Sequence, residues 1–146
     1  MRWTVAAMVA VVMAGIAARP VGGEPQTTAT GVKTVASVGE IMKTMTIPFS
    51  NAVFEAGGDA PKGEKSWETV RGQAIALAET GNLLMLGARA KDHAEWMKFS
   101  RALVDAAEAA AKAATAKNAD QLSAASDALY ETCSGCHKVY MKGSVQ

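Results

Sequence analysis

Strand-forming aromatics, disulfide frameworks and charge of one sign are all scarce in this chain of 146 residues. Aromatic residues make up 5%, which argues against a strand-rich core built on Tyr, Phe and Trp, and no stretch alternates apolar with polar residues as a half-buried strand does. Only two cysteines occur, three positions apart near the C-terminus, so they make one local event and no framework of bridges. Fifteen Lys and Arg face fourteen Asp and Glu, a net charge of +1, and no basic field draws the chain onto nucleic acid. No internal repeat is found. What remains is 49% hydrophobic and 20% charged, too apolar for a disordered tail and of a length for one domain.

Arg2 followed by an uncharged run from Trp3 to Ala18 has the form of a secretory signal, with small residues at Ala17-Ala18 for cleavage between Ala18 and Glu24. That run is shorter than the roughly 20 residues a spanning helix needs, so the reading is an exported chain with no membrane span once the signal is removed. Removal takes away Arg2 and no acid, which leaves the charges balanced. Residues 19 to 34 hold Pro, Gly and Thr without periodicity and read as a flexible lead-in to a domain at 35 to 146.

Four stretches of that domain carry apolar residues at helical spacing. The first starts from a capping box at Ser37-Val38-Gly39-Glu40 and places Val35, Val38, Met42, Met45, Phe49 and Ala52 on one face, with Pro48 expected to bend or interrupt it. Ser66 can cap the second, whose face runs Trp67, Val70, Ala74, Leu77, Gly81 and Leu84 before a stop near Gly87. Asp92 with Glu95 starts the third, which carries Trp96, Phe99, Leu103, Ala106, Ala110 and Ala113. Asn118 with Gln121 starts the fourth, with Leu122, Ala125, Leu129, Cys133, Cys136 and Tyr140. Narrow stripes of period near 3.5 on rods of about 20 residues predict an all-α protein, an antiparallel up-and-down four-helix bundle. The many small inward residues either let the helices approach closely or leave room for a flat group.

The segment Cys133-Ser134-Gly135-Cys136-His137 carries the chemistry. Residues i and i+3 of a helix share a face about 5–6 Å apart, so two thiols so placed can add to the two vinyl groups of one haem. His137 follows at once, and its imidazole can ligate the iron, so five residues supply attachment and axial ligand; C-x-x-C-H is the attachment pattern of haem c. A redox dithiol would open a helix after a strand, and here the motif closes the last helix of a strandless chain. Zinc would need further ligands, and the only other histidine is His93, placed near a helix cap and read as solvent-facing. A disulfide across i and i+3 of one helix would be strained and would leave His137 without a role. Export agrees with the haem reading, and places the protein in the periplasm.

A C-terminal CSGCHKVY on the last of four helices in an exported chain of this length resembles the class II c-type cytochromes, the family of cytochrome c′ and cytochrome c556. The stretch Ser37 to Lys43 followed by Pro48, together with Leu83-Leu84-Met85 and Trp96, resembles the low-spin c556-like branch. The resemblance implies one covalently bound haem c near one end of the bundle, between the first and last helices, and electron transfer to redox protein partners or, in the c′ branch, gas binding. Where that branch has Arg soon after the Tyr of the haem motif, this chain has Met141 and Lys142.

Met42 and Met45 both fall on the inward stripe of the first helix, where a thioether could take the sixth iron position opposite His137 or could simply fill the core. In the family's low-spin members a methionine of this helix is that ligand, and the spacing from Ser37 and to Pro48 matches Met42 best, with Met45 the runner-up. No carboxylate pair, activated nucleophile or Gly-rich phosphate loop accompanies the motif, so the chain reads as a carrier and no enzyme. The alternative is a five-coordinate haem that binds nitric oxide or carbon monoxide. Pairing into a homodimer is compatible with all of this.

Overall fold

A computed structural model describes residues 33–141. The signal read at 1 to 18, the lead-in as far as residue 32, and Lys142 onward lie outside the described residues. Within them the chain is helical and contains no strand. The elements are α1 (Val38–Ile41), a π turn (Met42–Thr46), α2 (Ile47–Gly58), α3 (Glu64–Leu84), a 3-10 turn (Gly87–Arg89), α4 (Glu95–Ala116) and α5 (Ala119–Tyr140). Backbone angles stay right-handed helical through both ends of the π turn, so α1, the turn and α2 form one rod and the bundle has four.

Contacts between rod ends set the directions. The Trp96 indole N–H donates to the Leu84 carbonyl at 2.8 Å, joining the start of α4 to the end of α3. Gly57, near the end of the first rod, abuts Ser126 near the start of α5, and Tyr140 at the end of α5 donates to Asp92 just before α4. Arg89 is buried; its Nε donates to the Ala36 carbonyl at 2.9 Å and an Nη to Leu83 at 3.2 Å, which ties the entry of α1 to the exit of α3. Each rod therefore runs against the direction of its two neighbours, the up-and-down arrangement that short connections favour. No helix among the described residues is long and apolar enough to cross a membrane.

The caps follow the sequence in three places and depart from it in one. Ser37 and Glu40 form the reciprocal box, Asp92 Oδ1 accepts from the N–H groups of Ala94, Glu95 and Trp96, and Asn118 accepts from Gln121. Ser66 does not cap α3. The helix begins at Glu64 because Gly63 takes a positive φ of 84°, open to glycine, and its carbonyl receives the Ser66 and Trp67 N–H groups.

The inward stripe of α3 is buried as read, and so is that of α4 except that Phe99 is only half-buried. On the first rod the expected face is displaced. Val35 precedes the helix and is 85% exposed, and from the end of the π turn onward Thr46, Ser50 and Val53 are buried where Met45, Phe49 and Ala52 were expected. Each is one residue further along. Pro48 has no N–H and its ring crowds the carbonyl four residues back, and the α-helix is interrupted ahead of it, as the proline predicts, by a wider turn in which the Ile47 N–H reaches back five residues to Met42. One extra residue in the turn rotates everything after it.

Small residues draw α3 and α4 together. A Cβ on Gly81 would lie 2.7 Å from Val104 Cγ2 and 3.0 Å from the Ser100 carbonyl oxygen, whereas a Cβ on Gly72, in the same helix, would meet nothing within 4 Å. Gly81→Ala is expected to lower unfolding stability by about 1–2 kcal/mol, since overpacking against backbone outweighs the gain in helix propensity. Gly72→Ala should raise it by about 0.5–1 kcal/mol, with urea unfolding of both variants as the measurement.

Candidate functional site

A cavity of about 660 Å³ opens at the end of the bundle where the first rod and α4 begin and α3 and α5 finish. Its volume falls in the range of cofactor pockets. The wall is mainly apolar, with Met42, Phe54, Leu84, Trp96, Phe99 and Leu103 around it, and α5 contributes Cys133, Ser134, Cys136 and His137. Cys133, Cys136 and His137 of α5 and Met42 of the neighbouring first rod thus line one space. Met45 is half-buried and is not among the lining residues, a direct result of the wide turn that follows Met42. Of the two purposes weighed from the sequence, the small inward residues are seen in close packing, and no alanine or glycine is among the residues lining the cavity. The alanines of α4 from Ala106 to Ala114 close one end tightly, and the opposite end stays open.

The motif is held by its surroundings. A Cβ on Gly135, between the two cysteines, would sit 2.9 Å from the ring of Phe99, so only glycine lets that ring pack onto the backbone here. Cys133 packs against the core, and both cysteines are free and half-buried. Burial pushes both thiols up from their ordinary range, and for Cys136 the neighbouring charges of Cys133 and Glu95 push in the same direction. A redox-active dithiol needs the opposite shift, toward thiolate. Among the described residues no cluster of His, Cys, Asp or Glu could hold a metal ion by itself, and His93 is exposed.

Behind the motif, Tyr140 stacks edge-on against Trp96, with ring centroids 4.9 Å apart at 80°, and its hydroxyl donates to Asp92. The same carboxylate caps α4, so one side chain locks α4 to the end of α5 beside the cavity. The Tyr140 hydroxyl bond, followed by the backbone N–H groups, holds Asp92 below the ordinary carboxyl value of 3.8. Burial, then the Asp92 bond, pushes Tyr140 up to about 12. Asp92 therefore stabilises the fold above about pH 4 and less so as pH falls through its lowered value; Tyr140 does so below about pH 10 and less so as pH rises through about 12. In urea titrations across pH, Asp92→Asn should flatten the acid limb and leave part of the alkaline one, because burial is the larger cause at Tyr140.

Sequence patterning missed Thr46. This threonine lines the cavity, is 4% exposed, and its hydroxyl has no hydrogen-bond partner. The signal was Pro48, whose demand for a wider turn moves position 46 onto the inner face. The chain matches no family model, no curated protein and no solved structure.

Proposed function

We propose that this protein is an exported electron carrier holding one haem c, with Cys133 and Cys136 as attachment points, His137 as one axial ligand and Met42 as the other. The observation that carries the reading is the convergence of both thiols, the imidazole and the Met42 side chain on one largely apolar cavity at the end of the bundle. The resemblance of CSGCHKVY to the haem segment of class II c-type cytochromes points the same way. The residues present fit such a group: two thiols one helical turn apart can anchor its edge, His137 and Met42 stand on α5 and the first rod, and Phe54, Phe99 and Leu103 exclude water from a ring between them. The bound haem would supply a one-electron couple between ferrous and ferric iron. Imidazole with thioether favours the reduced form more than two imidazoles would, and a packed bundle holds both ligands still through the exchange. Export rests on residues 1 to 18 and puts the carrier in the periplasm, where redox proteins are its partners.

Absorption spectra of the purified protein in both oxidation states test this. A covalently bound haem c that is low-spin when oxidised, with a weak far-red sulfur-to-iron band, is the expected result. A high-spin haem that takes up carbon monoxide without competition would replace the carrier with a gas-binding protein, and a colourless protein with unmodified cysteines would overturn the haem reading.

A further inference from the structure

Every other threonine in a described helix gives its hydroxyl to a carbonyl of the preceding turn. Thr44 bonds Glu40, Thr69 bonds Lys65, Thr80 bonds Leu77, Thr115 bonds Ala111 and Thr132 bonds Ala128, all at 2.7–2.9 Å. Thr46 alone lacks such a bond, although it is buried. The cause is local. In an α-helix its acceptor would be the carbonyl of Met42, but in the π turn that carbonyl meets the N–H of Ile47, one residue further along, and position 46 is out of the α register that brings a threonine hydroxyl to it. A buried hydroxyl without a partner is costly, and such groups are rare unless something else satisfies them. Thr46 faces the cavity, and so does Met42, the residue four positions earlier and therefore its neighbour on the rod.

We infer that Thr46 is a positioning residue for Met42: its hydroxyl donates to the Met42 thioether when that sulfur turns into the cavity. This rests on the proposed His137 and Met42 ligation. Methionine has three rotatable bonds for that turn, and its sulfur accepts a weak hydrogen bond. A donor on the sulfur draws electron density from it, so the thioether stabilises ferric iron less and the reduction potential rises. The bond also orients the sulfur, as outer partners of ligands do generally. The wide turn ahead of Pro48 thus does two things at once, freeing one hydroxyl and bringing it to the same cavity as the methionine.

The test uses the full holoprotein and two variants, Thr46→Val and Thr46→Ser, with redox titration and the far-red band as readouts. Valine keeps the shape and removes the hydroxyl. The expected result is a three- to tenfold shift of the reduction equilibrium toward the oxidised form in Thr46→Val, at most about 59 mV for one electron, with the band displaced but present. Thr46→Ser should restore most of the shift. Packing alone would alter the melting temperature and leave the potential in place. An unchanged potential in Thr46→Val, with the wild-type band present, overturns the inference and leaves the ligation standing; an equal loss in Thr46→Ser does the same. A wild-type protein without the band overturns both, and its spectrum shows which failure has occurred.

Discussion

Replacing both Cys133 and Cys136 with alanine is expected to give a protein whose haem passes into acidic organic solvent, while the unaltered protein keeps its colour through the same extraction. The thiols are the only cysteines in the chain, so no other side chain can make a thioether bond to a vinyl group. Stability should fall when attachment is lost. A largely apolar site of about 660 Å³ left without its occupant must admit water against apolar side chains or let the rods collapse. Either outcome loosens the end of the bundle, and the double variant should unfold over a broader transition at lower denaturant. Haem that stays with the polypeptide would place the covalent bond elsewhere. A double variant that unfolds as cooperatively as the parent would show that the bundle does not depend on what fills the cavity.

The second large effect is expected at Met42. Met42→Ala should abolish the far-red sulfur-to-iron band, turn the oxidised protein high-spin and let the reduced protein bind carbon monoxide readily. A buried methionine replaced by alanine costs about 2–5 kcal/mol, and Met42 is only half-buried, so about 2 kcal/mol should be lost by packing alone. Stability therefore does not identify the ligand. Met45→Ala supplies the control, because Met45 is also half-buried on the same rod but does not line the cavity. The band should survive there. Loss of the band in Met45→Ala and its retention in Met42→Ala would assign the ligand to Met45 and require the rod to turn from its present register.

Helix number, most helix starts and the grouping of Cys133, Cys136 and His137 were legible because each depends on residues close together in the chain. Ser37 with Glu40, and Asn118 with Gln121, satisfy orphan N–H groups within one turn, and the stripe from Trp67 to Leu84 repeats at a spacing that only one helical face can collect. Cys133, Cys136 and His137 lie within five residues, so their sharing of one helix face followed from helix geometry. The start of α3 was misread because the left-handed φ of Gly63 and its carbonyl outweighed the side chain of Ser66.

By itself, then, the sequence determined four rods, their order and the place of Cys133, Cys136 and His137 on the last of them, since periodicity and capping act over a few residues. Only the tertiary structure decided what the motif faces. That Met42 and His137 line one cavity depends on the packing of rods far apart in the chain, and the absence of Met45 from its wall follows the extra residue in the turn before Pro48. Whether small residues mean close packing or room was likewise decided by packing: the alanines of α4 seal one end of the bundle, and the cavity at the other is lined by larger side chains such as Trp96 and Phe99. A periodic pattern specifies which side of a helix is apolar, and a register shift or a gap between helices belongs to the packing of several at once.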